Sequence, residues 1–98
     1  MPLPNVEFHP AAAEEVAAAV QWYRERSEEA ARALVAELDR AVAMIAEAPE
    51  RWARYVKGTR RFLLRRFPFA VVYRQRQDVV EVVAVAHARR RPGYWRQR

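Results

Sequence analysis

The sequence predicts an α+β domain with the element order βααβββ, in which a helical hairpin packs on one face of a small antiparallel β-sheet. Strong helix formers fill residues 11–48, and their apolar side chains recur on one side at helical spacing. Residues 62–87 hold three runs of β-branched and aromatic residues separated by short turns, a pattern typical of strands. Because the chain has 98 residues, we predict a single domain, residues 1–98, with one core.

The first strand and the first helix are predicted from a short alternating stretch and a proline. Residues 5–9 alternate apolar and polar side chains, which favours a strand. Pro10 suits the first position of a helix, where its missing N–H is not needed, so His9 becomes the N-cap. We expect the helix to cover residues 11 to about 24, with an apolar face made of Ala12, Val16, Ala19, Val20 and Tyr23.

A second helix is expected to begin after Ser27, a good N-cap followed by two acids, and to end before Pro49. Its apolar stripe consists of Ala30, Leu34, Leu38, Ala41, Val42 and Ile45. The break between the helices is short, so they form an αα-hairpin. Since each helix is apolar on one side only, both stripes must cover a common surface, which the strands supply.

The second half of the chain supplies the sheet. Residues 49–58 are too apolar for a free loop, and we expect one helical turn packed at the edge of the core. Residues 62–73 are typical of a hairpin that turns at residues 66–68, where the proline does least harm. Residues 79–87 are apolar on both faces except at Glu81, so we expect a central strand that is covered on both sides.

Charge is divided unequally between the two halves of the chain. Residues 1–50 hold four Arg and ten Asp or Glu, a net charge of −6, whereas residues 51–98 hold fourteen Lys or Arg and two acids, a net charge of +12. Such a basic half usually faces an acidic partner, either nucleic acid or an acidic protein segment. A composition biased by a GC-rich genome would explain the preference for Arg over Lys but not the separation of the charges.

Composition excludes or disfavours several functions. The absence of Cys excludes disulfides, thiol nucleophiles and thiolate metal ligands. His9 and His87 lie far apart with no third ligand, so we expect no metal and no cofactor. Ser27 is assigned to a helix cap, which argues against a serine-hydrolase triad. No apolar run reaches the roughly 18 residues of a membrane helix, and residues 1–4 lack the features of a signal peptide, so we expect a cytoplasmic protein without a membrane partner.

The ordered set of elements and motifs resembles a known superfamily. The motifs are Phe8-His9-Pro10, Trp22-Tyr23, Glu37-Leu38-Asp39, Arg60-Arg61-Phe62-Leu63-Leu64, Phe67-Pro68-Phe69-Ala70-Val71-Val72-Tyr73, Val85-Ala86-His87 and Pro92-Gly93-Tyr94-Trp95. In this order, over nearly the whole chain, they resemble the RelE/ParE superfamily of type II toxins, the plasmid-stabilisation proteins. The resemblance implies a toxin that is neutralised by a cognate antitoxin, and the basic half of the chain suggests that this antitoxin is acidic. We expect the two proteins to form an oligomer.

Two activities occur in the superfamily. RelE-like members cleave mRNA in the ribosomal A site, whereas ParE-like members poison DNA gyrase. A RelE-like nuclease surrounds the scissile phosphate with Lys and Arg and uses a tyrosine of the C-terminal segment, because a pentavalent phosphate needs electrostatic stabilisation. Two of the expected cations are replaced here by Ala70 and Ala88. We therefore expect a ParE-like gyrase inhibitor. The alternatives are a RelE-like endoribonuclease that acts on the ribosome and mRNA, and a degenerate member that only binds antitoxin.

Three sets of candidate site residues accompany this interpretation. If the protein is a nuclease, the catalytic candidates are Arg61, Arg65, His87, Arg90 and Tyr94. The target-binding candidates follow the last strand and combine cations with stacking faces, and they are Arg89, Arg90, Arg91, Tyr94 and Trp95. The antitoxin-binding candidates are Trp22, Tyr23, Arg60, Arg61 and Arg65.

Several of these residues also have a purely structural interpretation. His87 is interpreted first as a structural residue that hydrogen-bonds the segment after it, and second as a general acid or base. The pair Trp22-Tyr23 is interpreted first as core or groove lining. The alternative for residues 89–91 is a solvated strand end. Glu14 and Glu15 are expected to be solvated helix acids.

Overall fold

The computed structural model describes residues 5–98, so the expectation for residues 1–4 lies outside the described part. The elements follow in the order β1 (Asn5–Phe8), α1 (Pro10–Arg24), α2 (Glu28–Glu47), β2 (Ala53–Arg54), a 3₁₀ helix (Val56–Gly58), β3 (Arg60–Leu63), β4 (Phe69–Arg76) and β5 (Val79–His87). The fold is α+β, as predicted, with the additional short strand β2. Two residues are too few to show a strand period, which is why the sequence predicted only one helical turn in residues 49–58. The 3₁₀ helix Val56–Gly58 lies in that range.

The five strands form one mixed sheet in the order β1-β5-β4-β3-β2. Strands β2 to β5 are antiparallel to their neighbours, as predicted. Strand β1 instead runs parallel to β5, with Asn5 opposite Val79 and Phe8 opposite Val82. A short turn forces two neighbouring strands to be antiparallel, but β1 and β5 are joined through all the other elements, so no local signal sets their relative direction.

Both helices begin at the predicted caps. The Nδ1 atom of His9 accepts a hydrogen bond from the Ala11 N–H at 3.1 Å, ahead of a proline that needs no partner. The Ser27 hydroxyl accepts one from the Ala30 N–H at 3.1 Å. Most residues of the predicted apolar stripes belong to the main core, whose fully buried helical residues include Ala12, Leu34, Ala41 and Ile45. On α2, the core contains Ala31 where Ala30 was predicted, and Val42 lies outside it.

Strand β5 has apolar residues on both faces, and a β-bulge determines which of them faces each side of the sheet. Its pairing with β4 shifts register, so that Val72 faces Ala84 but Tyr73 faces Val82, and Val83 is the extra residue. The helix side of the sheet packs into the main core through Val71, Tyr73, Val80, Val82 and Val85. The opposite side holds a second, smaller core made of Ala70, Val72, Val83, Ala84, Ala86 and Trp95. The prediction that residues 79–87 are covered on both faces is confirmed.

The C-terminal segment, residues 88–98, covers the second face of the sheet, and we call it the tail. The Ala88 N–H donates to the Pro68 carbonyl at 2.8 Å, which sets its start. Gly93 has a φ of +86°, a conformation that disfavours side chains, and it is followed directly by Tyr94 and Trp95. The Trp95 ring is 3% exposed and stacks on Tyr55 with 5.6 Å between ring centroids. Within residues 5–98, no helix has the length and apolar character needed to cross a membrane.

Candidate functional site

Glu15, on the inner side of α1, anchors the tail. Its carboxylate accepts hydrogen bonds from the Tyr94 hydroxyl at 2.7 Å and from the Arg98 guanidinium at 2.9 and 3.1 Å. It also accepts one from the Val85 backbone N–H at 3.0 Å. The expectation that Glu15 is a solvated helix acid is therefore wrong, because the tail folds back onto this carboxylate. Its neighbour Glu14 is exposed, as expected.

The Glu15 contacts lie where the edge of β5 loses its strand partner. Strand β1 pairs with β5 only as far as Val82, whose carbonyl accepts a hydrogen bond from the His9 N–H at 2.9 Å. Beyond this point, side chains take the place of a strand. The Arg98 guanidinium donates to the Val83 carbonyl at 2.9 Å, and Glu15 accepts from the next N–H on that edge. Backbone groups that would otherwise lack a partner are thereby satisfied.

Glu15, Tyr94 and Arg98 each keep one protonation state near neutral pH. Burial by itself raises the pKa of the Glu15 carboxyl, but the hydrogen bonds from Arg98, Tyr94 and the Val85 N–H outweigh burial, and its pKa is lowered overall. Burial, and then the hydrogen bond to Glu15, raises the pKa of the Tyr94 hydroxyl. Tyr94 is thus a neutral donor to a carboxylate, an arrangement poorly suited to acid–base catalysis near neutral pH.

A groove of about 430 Å³ lies between α1 and the open edge of β5. We call it the edge groove, and its lining is Glu15, Ala18, Ala19, Trp22, Tyr23, Phe69, Val85, His87, Arg90 and Tyr94. The Trp22 ring is 50% exposed, with the Arg26 guanidinium 3.7 Å from its centroid. The Tyr23 ring is half-buried and meets the edge of Phe67. The interpretation of Trp22 and Tyr23 as groove lining is confirmed.

A second depression, of about 360 Å³, lies on the side of the sheet that the tail partly covers. We call it the sheet-face pocket, and small side chains at Ala70, Ala86 and Ala88 contribute to its lining. Two cations line it as well, each resting on an aromatic ring. The Arg61 guanidinium lies 4.4 Å from the centroid of Tyr55, and that of Arg90 lies 3.9 Å from the centroid of Tyr94.

The structure gathers the nuclease candidates only in part. Arg61, His87 and Arg90 line the sheet-face pocket together. Tyr94 lines the edge groove instead, and its hydroxyl is bound to Glu15. Arg65 lines neither cavity.

His87 has a structural role at the start of the tail. Its Nδ1 atom accepts a hydrogen bond from the Arg89 N–H at 3.0 Å, and its carbonyl accepts one from the Arg90 N–H at 2.9 Å. Its ring also meets Phe69 edge to face. The interpretation of His87 as a residue that hydrogen-bonds the following segment is confirmed.

The target-binding candidates divide into exposed and buried residues. Arg89, Arg90 and Arg91 are exposed, and among residues 5–98 none of the three has an acidic partner within salt-bridge distance. Tyr94 is half-buried. Trp95 departs from the expectation of a contact residue, because its ring is buried in the second core. Its part is to hold the tail on the sheet.

The antitoxin-binding candidates do not form one surface. Arg60 pairs with Tyr73 on the helix side of the sheet, and its guanidinium donates to the Trp52 carbonyl at 2.8 Å. Arg61 follows it in β3 and therefore points to the opposite side, where it lines the sheet-face pocket. Trp22 lies in the edge groove, away from both.

Glu37, on α2, is a second acid whose structural role the sequence did not reveal. It is buried and accepts hydrogen bonds from the Arg65 N–H at 2.5 Å and the Arg66 N–H at 3.3 Å. It therefore holds the basic β3–β4 connection as Glu15 holds the tail. The sequence did contain a signal for both acids, namely their position on the apolar face of a helix. An acid on such a face is rarely buried without a partner, so each of them predicts a contact with a donor elsewhere in the fold. Glu15 lies between Ala12 and Ala19, and Glu37 lies between Leu34 and Ala41.

Residues 5–98 contain no group of three or more His, Cys, Asp or Glu side chains placed to hold a metal ion. The polar side-chain groups that line the two cavities include the Glu15 carboxylate, the His87 imidazole, the Tyr94 hydroxyl and the guanidinium groups of Arg61 and Arg90.

Comparison with known proteins identifies the family. A solved structure of a chromosomal ParDE TA system from P. aeruginosa contains a chain with the same fold, with a TM-score of 0.76 and 19% sequence identity over 87% of this chain and 96% of that one. No curated protein matches by sequence. The family model described as the ParE toxin of the type II toxin–antitoxin system parDE matches residues 6–92. Membership of this family implies an antitoxin partner. This chain thus belongs to the ParE toxin family of type II toxin–antitoxin systems.

Proposed function

We propose that this toxin arrests growth in the cytoplasm by inhibiting DNA gyrase, and that a cognate acidic antitoxin neutralises it. Its place in the ParE family supports this target. The observation that carries the choice over mRNA cleavage is the lining of the sheet-face pocket. Ala70 and Ala88 stand there at the two positions where the resemblance to RelE implies cations.

Cleavage of RNA without a metal would need several fixed cations around the scissile phosphate. The loss of a single transition-state donor costs on the order of 10²–10³ in rate. Here Arg61 and Arg90 remain in the sheet-face pocket, while the Tyr94 hydroxyl is bound to Glu15 in a different cavity. The set that remains is too small and too dispersed for efficient cleavage.

Gyrase inhibition needs only a binding surface, and the tail supplies one. Arg89, Arg90 and Arg91 are exposed at the start of the tail. Their charges are free to meet acidic groups of a partner. The segment is also held in place at both ends, by the Ala88 N–H on the Pro68 carbonyl and by the contacts of Glu15. A preorganised contact surface loses less entropy on binding than a mobile one.

The test compares a tail variant with a variant of equal charge change on the helices. In the first, Arg89, Arg90 and Arg91 are all replaced by Gln; in the control, the exposed residues Arg24, Arg32 and Arg40 are replaced by Gln. Purified gyrase is assayed for trapped cleavage complexes with each protein. We expect the tail variant to lose at least about tenfold in potency, or 1.4 kcal/mol of binding free energy, and the control to match the wild type.

Mapping of mRNA 5′ ends after induction without antitoxin tests the alternative activity. Ribosome-dependent cuts in the A site that vanish in Tyr94→Phe or Arg90→Ala, with gyrase unaffected, would establish an endoribonuclease and refute the proposal. The absence of activity in both assays would instead identify a protein that only binds antitoxin.

A further inference from the structure

We propose that Glu15 is a positioning residue of this toxin: acting through Tyr94 and Arg98, it fixes the tail in the arrangement that presents Arg90 and its neighbours to the target. The structural half of the proposal, that Glu15 holds the tail, stands by itself. The functional half rests on the proposed inhibition of gyrase by the tail.

The first argument is the number and kind of contacts that converge on one carboxylate. The Glu15 carboxylate accepts hydrogen bonds from both terminal nitrogens of the Arg98 guanidinium, from the Tyr94 hydroxyl and from a backbone N–H of β5. The Glu15 and Arg98 side chains are only 18% and 19% exposed, so water and salt screen their attraction less than that of a surface pair. Bidentate, partly buried pairs of this kind are among the strong polar contacts in proteins.

The second argument is the lack of regular structure in the tail. Its backbone hydrogen bonds between residues 90 and 98 are turns within the segment itself. Beyond residue 90, four of its five hydrogen bonds to the rest of the protein involve Arg98, and the fifth joins the Tyr94 hydroxyl to Glu15. The Arg98 guanidinium binds Glu15 and the Val83 carbonyl, and the Arg98 carbonyl accepts from Arg74 at 3.0 Å. The fixation of the last residues of the chain therefore depends on Glu15.

The third argument is the chain of contacts from Glu15 to the exposed cations. The hydrogen bond to Glu15 sets the direction of the Tyr94 ring, and the Arg90 guanidinium lies 3.9 Å from the centroid of that ring. Arg90 lines both the edge groove and the sheet-face pocket, so this contact decides where its charge is displayed. A free Arg90 would sample many rotamers, and binding a target would then cost more entropy.

The tail has an independent apolar anchor, so loss of Glu15 is expected to loosen it and not to unfold the domain. The Trp95 ring is buried in the second core against Tyr55. This contact involves neither Glu15 nor Arg98. Displacement of the Tyr94 hydroxyl and the Arg98 guanidinium should therefore leave the sheet and the helices intact.

The central test is Glu15→Gln, which keeps the size of the side chain and removes its charge, with the exposed neighbour Glu14→Gln as the matched control. Two properties are measured on folded protein. The mobility of the tail is measured by the rate of trypsin cleavage within it and by amide exchange at Val85. The activity is measured by the concentration that half-inhibits gyrase. We expect Glu15→Gln to speed both cleavage and exchange and to raise the half-inhibiting concentration at least about tenfold. Glu14→Gln should change neither property.

Variants on the tail side keep the test decisive if Glu15→Gln does not fold. Tyr94→Phe and Arg98→Gln each remove one partner of Glu15, and both should reproduce the faster tail cleavage and the weaker inhibition. Arg98→Lys retains the charge and should recover part of the loss. Such recovery is expected of a residue that positions the tail.

The outcomes separate this proposal from the proposed function. If the tail stays as protected in Glu15→Gln as in the wild type, Glu15 does not hold it and the proposal is overturned. If the tail is loosened but gyrase inhibition is unchanged, while replacement of residues 89–91 abolishes inhibition, the arrangement does not matter and the positioning role is overturned. If the wild type does not inhibit gyrase, the proposed function fails, and tail protection alone decides whether Glu15 holds the tail.

Discussion

At the scale of single residues, Tyr73 shows how this core accommodates a polar group. Its ring is 1% exposed beneath the helical hairpin, and its hydroxyl donates to the Pro49 carbonyl at 2.5 Å. Burial raises the pKa of Tyr73 to about 12, while the charge of Arg60 acts in the opposite direction. The folded protein therefore favours the neutral phenol.

This shift predicts a pH dependence of stability on the alkaline side. A tyrosine in the unfolded chain has a pKa of about 10, below the folded value, so its contribution is fully present below about pH 10 and is lost as the pH rises toward 12. We expect the free energy of unfolding of the wild type to fall across this window, with Tyr73 contributing on the order of 1–3 kcal/mol of the fall. Urea denaturation at a series of pH values measures it.

The control for this prediction is a pair of variants. Tyr73→Phe should start about 1 kcal/mol less stable, because the Pro49 carbonyl loses its donor, and should then show a flatter alkaline profile. Tyr94→Phe should keep the part of the alkaline fall in the free energy of unfolding that Tyr73 contributes. An equally steep fall in Tyr73→Phe and in the wild type would show that another group titrates.

At the scale of elements, β5 connects the parts of the fold. It lies between β1 and β4 and contributes apolar side chains to both cores, and the bulge at Val83 sets which residues face each core. Its free edge beyond Val82 carries the contacts that hold the tail. The strand therefore links the stability of the domain to the position of the candidate site.

Truncation of side chains in β5 should accordingly be costly. Val83→Ala and Val85→Ala each remove buried methyl groups from a different core, and each should lower the free energy of unfolding by about 1–3 kcal/mol. The control is Val35→Ala on α2, where the side chain is 39% exposed and the expected loss is below about 0.5 kcal/mol. Losses below about 0.5 kcal/mol at both strand positions would contradict the packing described for β5.

At the scale of the whole molecule, the helical hairpin is acidic and the sheet with its tail is basic. The separation seen in the sequence thus becomes a separation in space, bridged by ion pairs such as the partly buried pair of Glu15 with Arg98 and the pair of the buried Glu37 with the exposed Arg66. The Cα radius of gyration of the described residues is 13.0 Å, the value typical of a compact chain of this length. Exposed cations such as Arg54, Arg65 and Arg89 lie outside these pairs and are available to a partner.

The charge distribution predicts salt-sensitive binding of the antitoxin. Titration calorimetry with the small acidic protein expected from the adjacent reading frame should show an affinity that falls steadily between about 50 and 500 mM salt, because exposed charges are screened. The variant with Gln at residues 24, 32 and 40 should keep the salt dependence of the wild type. An affinity that is independent of salt would mean that the interface is mainly apolar.

The sequence by itself determined the local structure of this protein. The caps at His9 and Ser27, both helices with their apolar stripes, and the strand Val79–His87 all follow from short-range signals: dihedral preferences, hydrogen bonds to nearby N–H groups, and periodicity. The unequal charge of the two halves was visible in the same way. Together with the order of the motifs, these signals were enough to indicate the family.

The tertiary structure alone decided the direction of β1 and the architecture of the candidate site. The partners of Glu15 lie on β5 and in the tail, and no periodicity relates positions so far apart in the chain. Trp95 likewise looked like a contact residue until the turn at Gly93 returned it to the sheet. The physical reason is that a buried charge is stable only where donors from several elements converge, and such convergence is a property of packing and not of local sequence.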